Sequence, residues 1–255
     1  MALKQVLLAA VSLLALGLQA QEAAPKAASK IDKSLAVGVN LTDGNSQTMM
    51  ANGSLLLAGE KERLGSFKTG LEGNYGENTT RTVVDGVEAE TDEKTVSNAK
   101  LFGNVKKTVS PMTFAFLDAF VLNDDIAEID YRATVGPGLG LYLVKNASTA
   151  LSVEAGVAQV WEEVVDIEDD YLSLRFAESF EYKFAGNSKV WQSVVYLPEA
   201  SDFDNYLVTA EAGIEAPLQG RLNLRVVLQD KYDSQPGADK DKNDLVLIAG
   251  VGVKL

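Results

Sequence analysis

The sequence predicts an all-β protein: a closed up-and-down antiparallel transmembrane β-barrel of about twelve strands, with ten or fourteen as the alternatives. Three observations carry this. Hydrophobicity repeats every second residue rather than every 3.6. The alternating segments run to about ten residues, longer than the usual soluble strand of about five or six and long enough for a tilted strand to cross a bilayer. The connections alternate between short, mildly basic stretches and longer, acidic ones, as they do when alternate turns of a meander lie at opposite ends.

The strands are expected to begin near Leu35, Gln47, Ser66, Thr95, Met112, Ile129, Thr149, Tyr171, Val190, Asn205, Arg221 and Asp244. The alternation is plain in "YLSLRFAESFEYKF", where Leu172, Leu174, Phe176, Phe180, Tyr182 and Phe184 oppose Ser173, Arg175, Ala177, Ser179, Glu181 and Lys183. Glu178 falls on the apolar face of this strand and predicts a bulge or a local phase error there. "RLNLRVVLQDKY" likewise sets Leu222, Leu224, Val226 and Leu228 against Asn223, Arg225, Val227, Gln229 and Lys231. The acidic connections include "ENTTRTVVDGVEAETDEK" (77–94), "EEVVDIEDD" (162–170) and "DSQPGADKDKND" (233–244). The basic ones lie around Lys61/Arg63, Lys106/Lys107, Lys145, Lys183/Lys189 and Arg221. Aromatics near strand ends, among them Phe102, Tyr142, Tyr171, Trp191, Tyr196, Tyr206 and Tyr232, suit interfacial girdles.

Upstream, Lys4 followed by the apolar run 6–18 and "LQA" (18–20) reads as a cleaved export signal over residues 1–20. Residues 21–33 are Ala/Lys-rich and read as a flexible lead, and 34–255 as the barrel. The expected location is the bacterial outer membrane.

Composition narrows the chemistry. The 255 residues carry a net charge of −13, which disfavours nucleic acid. There is no histidine and no cysteine, so Ser–His and Cys–His pairs, imidazole ligands and thiolate sites are absent. Glu211 and Glu215 share a face but stand about 13 Å apart along a strand, too far for a glycosidase pair. The reading is non-enzymatic, with no cofactor. Metal candidates are confined to Asp166, Glu168, Asp169 and Asp170, whose spacing does not match a calcium loop.

Period two alone does not say which face meets lipid. Charges of both signs share the polar face, which suits a wet lumen. The lumen-lining candidates are Arg132, Glu154, Arg175, Glu181, Glu211, Glu215 and Arg225. In "DYRATVGPGLGLYL", Gly136, Gly138 and Gly140 lie two apart and share the lumen face, as do Gly250 and Gly252 in the last strand. Neither a dinucleotide fingerprint nor a phosphate-binding loop fits that spacing. Glycines there let large neighbouring side chains lie across the strand, while Pro137 removes a ladder donor and predicts a bulge.

The opening "VGVNLTDGNSQT" (37–48), "DYRATVGPGLGLYL" (130–143) and the closing "QDKYDSQPGADKDKNDLVLIAGVGVKL" resemble the YdiY-like family of salt-induced outer membrane proteins. That resemblance implies an outer-membrane barrel with no established substrate. It implies as partners the membrane lipid, lipopolysaccharide and the barrel-insertion machinery, although the chain ends on Leu255 where many such barrels end on an aromatic. Functionally, the expectation is a narrow porin-like channel for small solutes or ions with weak cation preference, or a plugged barrel. The alternatives are a structural barrel serving osmotic or salt adaptation without transport, and a soluble periplasmic lipocalin-like barrel with an apolar ligand.

Overall fold

A computed structural model of the chain describes residues 31–42, 46–61, 65–84, 87–238 and 240–255. The expected export signal and most of the lead lie outside these residues. Twelve strands follow one another: β1 (Ile31–Thr42), β2 (Ser46–Lys61), β3 (Gly65–Val84), β4 (Val87–Thr108), β5 (Thr113–Asp124), β6 (Ile129–Lys145), β7 (Thr149–Val164), β8 (Ile167–Lys183), β9 (Lys189–Pro198), β10 (Tyr206–Pro217), β11 (Leu222–Asp233) and β12 (Asn243–Lys254). Each pairs antiparallel with the next, and β1 pairs with β12 through Ala36↔Gly252 and Val37↔Val251, closing the barrel.

The faces follow the period. Outside, Leu35, Val37, Val39, Leu71, Leu139, Leu172, Ile214, Leu228, Leu245 and Leu247 are exposed. Inside, charged and polar side chains such as Arg132, Glu154, Arg175, Ser173 and Asn223 are buried. Closure leaves no free strand edge, so the ladder donors and acceptors find partners all round the ring.

Five expectations are corrected. β1 opens at Ile31, paired with Gly59, so residues 31–33 are strand rather than lead. The acidic stretch 77–94 is not a loop. After a bulge at Gly76/Glu77 the β3–β4 ladder runs on from Glu77↔Lys94 to Val84↔Val87, where the β-branched Thr79, Thr80, Thr82, Val83 and Val84 favour extended chain. Much of 162–170 is paired too, through Glu162↔Asp169 and Val164↔Ile167, leaving Val165 and Asp166 as a two-residue turn with both φ positive (52° and 61°). There is no bulge at Glu178: its register against Val153 and Val194 is unbroken, and it points outward with them. Nor is there one at Pro137, which pairs with Leu117 on the outer face; the β6–β7 ladder resumes in the same register beyond it. The shifts fall instead at Leu122/Asp124, Ile129/Tyr131 and Tyr142/Val144.

The aromatics divide between the faces. Phe176, Tyr196, Tyr206 and Tyr232 form a continuous outward row across β8–β11, with ring centroids 6.4, 5.6 and 5.6 Å apart. Phe102, Tyr142, Tyr171 and Trp191, expected in the girdle, have lumen parity and point inward, opposite Gly70, Ser152, Val160 and Gly213.

Candidate functional site in the barrel lumen

The lumen is built from a repeated local unit: a glycine on one strand, an aromatic ring lying over it from the next, and a cation over the ring. The β5–β6 hairpin pairs Phe114 with Gly140 and Phe116 with Gly138. A Cβ at either glycine would penetrate the facing ring. Lys106 Nζ stands 4.6 Å from the Phe114 centroid, and the Arg175 guanidinium 4.8 Å from that of Phe116. Both distances suit cation–π attraction. Glu154 then ties the two cations together, accepting from Lys106 at 2.6 Å and from Arg175 at 2.8 Å. Asp118 flanks Arg175 at 3.9 Å.

Gly136 plays a different part. Its missing Cβ makes room for the backbone carbonyl of Val157 on β7, a close strand approach. Gly250 makes the same kind of approach to β1 at the Val37 carbonyl, whereas Gly252 has only ordinary van der Waals neighbours.

The unit recurs elsewhere on the wall. Trp191 lies over Gly213 with Lys189 and Arg225 each 5.4 Å from its ring. Its indole N–H donates to Glu211 at 2.6 Å, and Gln229 donates to the same carboxylate at 3.1 Å. Phe102 lies over Gly70 with Lys68 and Lys100 at 5.7 and 6.0 Å. Glu215 faces Lys189 at 3.8 Å and Lys254 at 3.5 Å, and Glu181 pairs with Lys183 at 3.2 Å near the basic-turn end. Arg225 leaves its Nε buried and without a hydrogen-bond partner. Between Glu72, Asn74, Arg225, Gln229 and Gly250 remains a cavity of about 30 Å³, room for a water or two.

At the acidic-loop end the lumen is bridged. β5 and β11 stand six strands apart in the twelve-strand ring, so they face each other across the barrel. Lys231 of β11 reaches Asp124 of β5 at 3.3 Å. Asp233 of β11 accepts from Arg132 of β6 at 2.8 Å, and Arg132 also pairs with Glu162 of β7. The β11–β12 connection continues the crossing: Lys240 meets Glu128 in the β5–β6 turn at 2.8 Å, and Gly237 packs on Val165 of the β7–β8 turn. Val165 N–H in turn donates to the Glu128 carbonyl at 3.0 Å. Two turns and one loop thus converge over the mouth.

The sequence-predicted residues separate into three groups. Arg132 belongs to the bridge; Glu154 and Arg175 join in the packed unit; Glu211, Glu215 and Arg225 line the opposite wall. Glu181 joins none of these. The four metal candidates are not brought together. Asp166 meets Asp130 and Glu163 with carboxylate oxygens within 4.8 Å of one another, while Asp169 faces Glu162 and Asp170 faces Trp161. Sequence reasoning missed Phe114, Phe116, Lys106, Asp124, Asp233 and Lys240. The first two carried a signal: "TFAF" places rings at every second position in the strand paired with glycines at every second position.

A family model described as "Protein of unknown function, DUF481" matches residues 35–255. The comparison with curated proteins finds no match. Among solved structures, the NanC porin is 8% identical, with 88% of this chain and 100% of that chain covered and a TM-score of 0.51, so the fold is shared with an outer-membrane porin barrel. The KdgM porin is 7% identical, with coverages of 89% and 99% and a TM-score of 0.45. An anion-selective porin from Comamonas acidovorans is 10% identical, with coverages of 89% and 100% and a TM-score of 0.42.

Proposed function

We propose that this chain, which belongs to the DUF481 family of unknown function, is a non-enzymatic, porin-like barrel of the bacterial outer membrane whose narrow lumen passes small cations. The observation that carries the proposal is the inversion of polarity: an exposed apolar belt outside and charged side chains of both signs inside. A lipocalin-like barrel with an apolar ligand needs the reverse arrangement. Export would use the signal at residues 1–20, and the belt would meet lipid, with lipopolysaccharide at the acidic loops and the insertion machinery during assembly.

Cation preference rests on the external mouth. Carboxylates of 162–170 and 233–244 gather where ions would enter, and their potential concentrates cations. The mixed wall charges then set only a weak selectivity. Arg132, Lys231, Lys240 and their carboxylate partners cross the mouth, so the resting conductance is low. Single-channel recording in planar bilayers tests this. Small, cation-preferring steps are expected; a silent barrel or anion preference overturns it. Silence that persists after the bridge is removed favours the second reading, a structural barrel serving the envelope without transport, which the ring-filled glycines also support.

A further inference from the structure

The outer face is apolar almost throughout. Its polar Gln159 on β7 is satisfied within the chain, donating to the Val160 carbonyl at 3.3 Å, but another region is not so satisfied. Glu178 of β8 shares its parity with outward-facing Val153 and Val194. Gln192 of β9 is paired with Phe180 and Ala212 on the same outer surface. Continuing the row from Glu178 through Val194 gives Ala210 and then Asp230 of β11. Among the described residues, neither Glu178 nor Gln192 has a hydrogen-bond or ion-pair partner, whereas the Asp230 Oδ1 is covered within its own chain and takes no part in the surface. The patch lies between Phe176 and Phe180 on β8 and beside Leu228 on β11, on the barrel side of the outward row Phe176, Tyr196, Tyr206 and Tyr232. It is therefore inside the apolar belt and not beyond it. Neither water nor a lipid headgroup satisfies polar groups at that level, and an unsatisfied polar group in hydrocarbon is costly.

We propose that this patch is the self-association surface of the barrel, with a second copy of the chain as its occupant. The proposal rests on the outer-membrane reading above. The chemistry of the patch is self-complementary. Glu178 is an acceptor when ionised, and the Gln192 amide offers two donors. The two are diagonal neighbours on β8 and β9, and strand tilt sets such a diagonal at about one depth. A two-fold axis along the membrane normal passing between them brings each Gln192 amide against the partner's Glu178, an isologous contact. Ala210 and Ala212 beside them keep the surface low, and small residues let membrane-embedded backbones approach closely. An unrelated partner would need its own matching donor at the same depth; a second copy carries one by symmetry.

The chain has no cysteine, so introduced thiols report cleanly. Full-length Glu178→Cys and Gln192→Cys chains would be co-expressed, and their outer membranes oxidised. In the mixed pair one Glu178–Gln192 contact survives while the other becomes a thiol pair. A mixed disulfide dimer well above either chain alone is expected. Leu71→Cys, on the outer face of β3, serves as the control and should not cross-link. In detergent, the wild-type mass should be twice the chain mass, and Glu178→Leu should halve it. Heat-modifiable migration of each variant shows that the barrel is folded and membrane-inserted. A protein absent from the outer membrane refutes the barrel reading itself. A folded, inserted barrel that is monomeric, cross-links equally at Leu71, joins only a different chain, or stays dimeric as Glu178→Leu refutes the association alone.

Discussion

The two halves of the barrel wall are packed to different standards. On β5–β8 the interior is dry: Phe114 is 2% exposed, and Val160 and Ser173 are 0%. On β10–β12 and β1–β3 the inward side chains are mostly half-buried, and a cavity survives. Both halves use the glycine–ring–cation unit, but only the first stacks two of them side by side under one carboxylate. A barrel of this size has more lumen than its side chains fill. This one concentrates its filling on one wall and leaves the other for water.

The contrast can be broken or sharpened by substitution, beginning with the largest effect. Glu154→Ala strands Lys106 and Arg175 in the dry half and should cost about 3–5 kcal/mol, the usual penalty for removing one partner of a buried ion pair. Denaturant unfolding followed by the fluorescence of Trp161 and Trp191 measures it. Gly136→Ala drives a methyl into the Val157 carbonyl, which cannot swing aside, and should cost about 1–3 kcal/mol by overpacking. Lys231→Met removes one strut between the halves. It leaves the buried Asp124 carboxylate without its cation, so stability should fall by about 1–3 kcal/mol, while single-channel conductance rises. An unchanged conductance would mean the bridge is no obstacle to ions. Gly252→Ala, in the loosely packed half, should shift stability by no more than about 0.5 kcal/mol. If it matched Gly136→Ala, the two halves would be equally packed and the comparison would fail.

Strand number and facing were legible because each depends on near neighbours in the chain. Eleven of the twelve ladders join consecutive strands, so a period-two run and its turn suffice to place them. The misjudged hairpins had a local cause. The 77–94 stretch reads as a loop by charge, yet its Thr and Val positions extend the ladder beyond the apolar belt. From the sequence Glu178 reads as a bulge or a phase error, because one strand alone does not distinguish an outward carboxylate in register from a break in register.

By itself, the sequence determined the barrel, its approximate strand count and the alternation of faces along each strand, since side-chain alternation is a property of any single strand. Only the tertiary structure decided who meets whom across the lumen. Asp124 and Lys231 lie 107 residues apart, as do no two residues of a hairpin. Their encounter depends on closure of the whole ring and on the register accumulated from strand to strand. A one-residue change in that accumulated register would leave every local pattern legible and separate the pair.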